Sequence, residues 1–315
     1  MNRREFVVLA AAAPLGLRAA FAGAAVARPP LALVTCDEES RLAVVDLASF
    51  RVVGSIATPA APRSIQLVGD RAVVAHWTLG LLAIVDRRRV LHIVEGLDEP
   101  RYAAAHPDGV HVLVTDSSYG LVVLDARRAR IVGRVRLPEW PRHVSVDPAG
   151  RTAWVGLGSA STHVAVVDVS DMRRPRRTAL VAPPFRAHDV GVASDGGHVW
   201  VTSGATARTA VYGSAHGLRE TLAADAAPQH VAFGHGVAYV TSGDSGTFRV
   251  HSLADGRMLR KSRIPIGSYN VHYARGRVIT PSLSAGTLAI LDAGGLPLAT
   301  VQVASACHDA CFAPS

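Results

Sequence analysis

With 315 residues, of which 49% are hydrophobic and 18% charged, the chain has the apolar content of a folded protein rather than a disordered one. Its net charge of +8 rests almost wholly on arginine, Lys261 being the only lysine, a compositional bias that weakens any link from charge to nucleic acid. No basic helix or RNA-binding aromatic motif accompanies it, and the arginine block Arg173-Arg174-Pro175-Arg176-Arg177 reads as a solvated outer loop.

In chain order, the first element is an export signal. Asn2-Arg3-Arg4-Glu5-Phe6-Val7-Val8 joins a twin arginine to an apolar stretch through Leu17, with Ala-x-Ala sites at Ala20 to Ala22 and Ala25 to Ala27. This resembles a twin-arginine (Tat) signal peptide, so residues 1–27 are set apart from the fold and a periplasmic location is expected for the mature chain. The apolar run is too short to span a bilayer comfortably, and no transmembrane segment is expected after cleavage.

From residue 28 on, one pattern recurs. Aliphatic strands end at Asp46, Asp86, Asp125, Asp168 and Asp292, with degenerate counterparts at Gly213 and Ser252, so successive anchors lie 40, 39, 43, 45, 39 and 40 residues apart. A period near 40 marks a radial β-repeat array, and seven anchors predict seven blades. Glycine turns flanked by Val, Tyr and Trp, as in AHPDGVHVLVTDSSYG and ASDGGHVWVTSGAT, supply the hairpins, and the strand-end Asp residues read as turn caps.

At VTDSSYGLVVLDARRARIVGRV and VTSGDSGTFRVHSLADG the chain resembles the YVTN-type β-propeller repeat in its periplasmic YncE-like form, over residues 31 to 313. The resemblance implies an all-β, seven-bladed propeller and leaves activity open, since propellers bind, scaffold and catalyse alike. The chain starts, at LALVTCDEES, without the first strand of a blade and ends, at CHDACFAPS, with only a first strand. His308, Asp309 and Ala313 align with His188, Asp189 and Ala193 of the fifth blade. The C-terminal strand is therefore expected to complete the N-terminal blade, removing two open sheet edges.

The chemistry lies where the blades begin. Their starts read Arg63-Ser64, Arg101-Tyr102, Arg142-His143, His188-Asp189, Gln229-His230, Tyr269-Asn270 and His308-Asp309. The first strand of a propeller blade lines the central channel, so these pairs should form two rings at one channel mouth, first members in one and second members in the other. Histidines 143, 188, 230 and 308 are candidate metal ligands, copper or zinc before haem, and His272 lies two places beyond its pair. Asp189, Asp309, Tyr102 and Asn270 would complete a polar site, while Arg63, Arg101 and Arg142, with Arg186 nearby, suit an anionic ligand.

The cysteines allow two readings. Cys36 and Cys307 fall nearly opposite one another and are expected to form a disulfide in an oxidising compartment. Soft-metal ligation by Cys307, His308 and Cys311 needs a broken strand, because residues 307 and 311 share one face of a regular one. Cys311 otherwise reads as a small core residue. Gly243-Asp244-Ser245-Gly246 falls at a hairpin turn and implies no serine nucleophile; Cys-x-x-Cys-His, phosphate-loop and dinucleotide fingerprints do not occur. Trp77, Trp140, Trp154 and Trp200 are expected between blades.

Two function classes follow. The first is an exported accessory protein that binds a small polar or anionic ligand, a metal or a periplasmic protein partner at its channel mouth. The second is a metal- or haem-dependent oxidoreductase resembling the propellers of nitrite and nitrous-oxide reductases, whose paired-histidine motifs are not found here. A propeller lactonase is a third idea, disfavoured by a mouth poor in Glu.

Overall fold

The computed structural model describes residues 30–158, 162–227 and 229–314, so the signal peptide expected at 1–27 lies outside the described residues. Seven four-stranded antiparallel sheets make seven blades of a β-propeller. Their innermost strands are Cys307–Phe312, Pro62–Val68, Pro100–Ala105, Pro141–Val146, Ala187–Val192, Gln229–Gly234 and His272–Ala274, for blades 1 to 7 in ring order. Blade 1 is closed as expected: Cys307–Phe312 pairs with Leu31–Cys36, the first strand of the chain. Among the described residues no helix is long and apolar enough to cross a membrane.

The second and third strands of a blade read as unbroken apolar runs because both of their faces are covered by neighbouring blades. Ala32–Cys36 and Leu42–Val45, for example, are buried throughout. Seven hydrophobic clusters result, one in each gap between blades. At roughly 25 cal/mol per Å² of apolar surface, this repeated burial is the main stabilising term. Fourth strands such as Arg51–Ala57 face solvent and carry the polar residues.

The channel end departs from regular pleating in blades 1 to 5 and stays regular in blades 6 and 7. In blades 3, 4 and 5 the pairing jumps from Pro100 to Ala103, from Pro141 to Val144 and from Ala187 to Val190, and in blade 1 from Cys307 to Ala310. Two residues there oppose one, which is a β-bulge, and the two residues are the polar pair. The bulge overturns the facing argument for the cysteines. Cys307 packs with Ala310 and Phe312 against blade 7, whereas Cys311 lies in the cluster shared with blade 2. Cys307, His308 and Cys311 are thus not gathered on one point. Cys36 and Cys307, expected as a disulfide, are buried free thiols here, directly opposed across the two strands, the juxtaposition that a cross-strand bond requires.

A threonine on the second strand answers each bulge in three blades. The bulge frees the amide of the second pair residue from the ladder, and a buried amide needs a partner. Thr35, Thr115 and Thr202 Oγ1 accept from the amides of Asp309, Tyr102 and Asp189 at 2.9, 3.1 and 3.1 Å. Thr115 and Thr202 then donate to the carbonyls of Arg142 and Gln229 in the next blade at 2.7 and 2.6 Å. Thr241 likewise donates to the Tyr269 carbonyl. One hydroxyl therefore seals a bulge and ties two blades at the channel.

Candidate functional site

The polar pairs meet as a plug across the channel. Second members Tyr102, His143, Asp189, His230, Asn270 and Asp309 line a cavity of about 290 Å³ that is also lined by His272, and no first member lines it. Arg63, Arg101, Arg142, His188 and His308 belong to the opposite side of the plug. The two layers touch: His188 Nε2 lies 3.1 Å from His230 Nε2, and Tyr102 Oη lies 3.4 Å from His308 Nε2. Tyr102 stacks on His143 with ring centroids 3.5 Å apart.

Asp189 organises the histidines. Its carboxylate is fixed by the amides of Val190 at 2.7 Å and Val231 at 3.0 Å, one from its own blade and one from the next. The same two oxygens face His143 Nδ1 at 3.0 Å and His230 Nδ1 at 3.5 Å. An ionised carboxylate only accepts, so the closer His143 Nδ1 carries the proton and His143 Nε2 presents a lone pair. The His188 Nε2–His230 Nε2 contact holds one proton between the two rings, which a bound cation would displace. His188 Nε2 is approached by Arg142 Nη2 at 3.4 Å, and a guanidinium only donates, so this nitrogen also acts as an acceptor. His143 Nε2 is buried without a hydrogen-bond partner.

Ligand atoms of His143, His188 and His230 all lie within 4.8 Å of one another. The ordinary partner of three converging imidazole nitrogens is a cation. Zn–N bonds of roughly 2.0–2.1 Å place ligand nitrogens about 3.3 Å apart, within small side-chain adjustments of this arrangement. Ligation requires neutral rings, and His143 and His188 are held so. Burial pushes His143, His188 and His308 well below the usual histidine range, and the neighbouring imidazoles and arginines push the same way.

His308, expected as a fourth ligand, falls outside this triad. Its Nδ1 donates to the Arg63 carbonyl at 3.0 Å and its Nε2 faces the Tyr102 hydroxyl, so the ring is used up as a structural bridge. Asn270 Nδ2 reinforces that bridge, donating to the His308 carbonyl at 2.8 Å. Asp309 repeats the clamp of Asp189: it accepts from Ala310 and Ile65 amides at 2.9 and 3.0 Å and holds His272 Nε2 at 2.7 Å.

The arginines occupy the other mouth with aromatic company. Arg63 and Arg101 lie 5.2 and 5.7 Å from the Trp77 ring, and Arg101 lies 4.5 Å from Trp140. Trp154 and Trp200 do fill gaps between blades, but Trp77 and Trp140 are half-buried supports for arginine. Local backbone explains both. Trp77 opens a 3-10 turn capped by left-handed Gly80, and Trp140 folds over Gly158, where a Cβ would lie 2.6 Å from the ring. The bulge threonines are the site-building residues the repeat reading missed. The recurring Val-Thr at 34–35, 114–115, 201–202 and 240–241 was their signal.

No protein-family model matches the chain. No curated protein matches it either. Among solved structures it is similar to a functionally unknown protein from Desulfotomaculum acetoxidans, with TM-score 0.78 and 11% identity over 90% of this chain and 98% of that one. It is also similar to Kuenenia stuttgartiensis hydrazine synthase, with TM-score 0.67 and 14% identity over 79% and 88%. The dihydro-heme d1 dehydrogenase NirN, solved in complex with DHE, matches with TM-score 0.64 and 15% identity over 86% of this chain and 63% of that one. Identities this low support the propeller fold and carry no function by themselves.

Proposed function

We propose that the protein is an exported, YncE-like propeller that binds a transition-metal ion, zinc or copper, through His143, His188 and His230 in its channel. The observation that carries this reading is the buried, unpartnered Nε2 of His143, its Nδ1 held by Asp189, within reach of the ligand atoms of His188 and His230. Three imidazole donors leave a coordination position for a small ligand, and imidazole suits both zinc and copper. Export fits the twin-arginine segment, and an oxidising compartment would turn the opposed Cys36 and Cys307 into a staple on the closing strand.

An oxidoreductase is the second reading, supported by the redox enzymes that share the fold. A cavity of about 290 Å³ lies at the lower limit of organic-ligand sites, which favours an ion with small ligands over a macrocycle. Metal analysis and absorption spectra of natively exported protein test both. About one zinc or copper per chain, lost in His143→Gln and His188→Gln, is the expected result. Protein that neither carries nor takes up either metal, or a double variant that retains it, would sink the proposal.

A further inference from the structure

The geometry points to a second binding site on the opposite side of the plug, one that takes a small dianionic oxyanion of the phosphate or sulfate type. Arg63, Arg101 and Arg142 stand at the same position of three adjacent blades, 2, 3 and 4. Each is held by its surroundings: Trp77 lies beside both Arg63 and Arg101, Trp140 covers Arg101, and Arg142 reaches His188. The tryptophan faces are thereby used, which leaves guanidinium N–H groups, and not an aromatic platform, to meet a ligand.

Those donors are unfilled. Nε of Arg63, of Arg101 and of Arg142 is buried with no hydrogen-bond partner. A buried polar group left in that condition costs about 1–3 kcal/mol, more when charged, so three on one surface call for a shared acceptor. Protein carboxylates do not supply it. Asp37 reaches Nη1 of Arg63 at 3.5 Å and Glu99 reaches Nη1 of Arg101 at 3.2 Å, while Arg142 has only the neutral His188. Three fixed positive charges thus face two carboxylates. Burial also lifts the Asp37 acid to about 7 despite Arg63, which thins the negative charge further.

The number of donors selects the ligand class. A carboxylate offers two oxygens and is satisfied by one or two guanidinium forks, whereas three forks from three blades match the three or four oxygens of a tetrahedral oxyanion. The second charge of phosphate or sulfate answers the uncompensated arginine. Like-charge crowding has a visible consequence in the chain itself: burial, then Arg142 and Arg63, depress the pKa of Arg101.

The test is titration calorimetry of metal-free protein at low ionic strength with phosphate, sulfate and acetate, together with tryptophan fluorescence reporting on Trp77 and Trp140. Phosphate and sulfate should bind at least about tenfold more tightly than acetate, and Arg142→Gln and Arg142→Lys should each weaken them by about tenfold or more, the second because lysine keeps the charge without the fork. Arg101→Gln should do the same, and where it lowers the melting temperature the Arg142 variants carry the conclusion. His143→Gln, which removes a metal ligand, should leave anion affinity unchanged. Absence of phosphate and sulfate binding, equal binding of acetate, undiminished binding in both Arg142 variants, or loss of anion binding in His143→Gln would each overturn a separate oxyanion site.

Discussion

The gaps between blades and the channel that the blades surround are built from the same strands under opposite demands. In a gap such as that between blades 1 and 2, Leu33, Leu42, Ile65 and Val74 need only be apolar and of fitting volume. At the channel plug the side chains are polar and largely buried, so each needs a particular partner at a particular angle: Asp189 holds two imidazoles, Asp309 holds His272, and Thr202 seals the bulge at His188-Asp189. The gaps therefore tolerate the degenerate repeats at Gly213 and Ser252, while the chemistry of the channel rests on two residues per blade and, in blades 1, 3, 4 and 5, on the bulge that aims them. Stability and binding should separate along that line.

The largest effect is expected from opening the ring. Removing residues 307–315 takes away a fully buried strand, exposes the edge of Leu31–Cys36 and deletes His308 and Asp309 together. Loss of roughly 5 kcal/mol or more, comparable to the whole stability of an ordinary domain, should follow, seen as loss of the cooperative thermal transition. A truncated protein that melts within a few degrees of the full chain would mean that closure by this strand is dispensable.

Acidification should come next. His143, His188 and His308 are held neutral when folded, by burial first, and so are His76 and His251. Unfolded histidines take protons below about pH 6.5, so between pH 7 and 5 the unfolded chain binds more protons and stability falls as pH drops. The slope is about 1.4 kcal/mol per pH unit for each histidine kept neutral. Asp37 has the opposite sign, because its acid is raised to about 7 and the folded state binds a proton that the unfolded chain releases. Buried Asp116, also raised, works with it. Five histidines outweigh two carboxylates, so the melting temperature of metal-free protein should decline from pH 7 to pH 5, less steeply in His143→Gln. A flat or rising profile would show that the channel is solvated and its histidines protonated.

Much of this was legible in the sequence, and the failures share a cause. The strand-end anchors fixed seven blades, the match of His308-Asp309 to His188-Asp189 fixed the closure, and the polar pairs marked the channel. Period-two alternation, however, assumes a regular pleat. A bulge adds one residue, which is why Cys307 shares a face with Ala310 and not with Cys311. His308 looked equivalent to His188 by alignment. It leaves the metal triad because Tyr102 and the Arg63 carbonyl, from blades distant in sequence, claim its two nitrogens. Trp77 and Trp140 were misplaced for a similar reason, since only the ring geometry shows that arginines stand over them.

The finest test compares two threonines at equivalent repeat positions. Thr202 Oγ1 accepts from the Asp189 amide and donates to the Gln229 carbonyl, joining blades 5 and 6 directly beneath the histidines. Thr280 Oγ1, in blade 7, is buried with no partner. Valine has nearly the same shape and lacks the hydroxyl. Thr202→Val should then cost about 1–3 kcal/mol, the price of leaving a buried amide and carbonyl unpaired, and should loosen the Asp189 clamp enough to weaken metal binding. Thr280→Val removes an already unpaired group and should be neutral or slightly stabilising. The two variants differ by one methyl-for-hydroxyl exchange each, so unfolding titrations with a common slope compare them directly. Equal costs at the two positions would mean that the threonine hydroxyl does not seal the bulge, and that the polar pairs are aimed by strand packing alone.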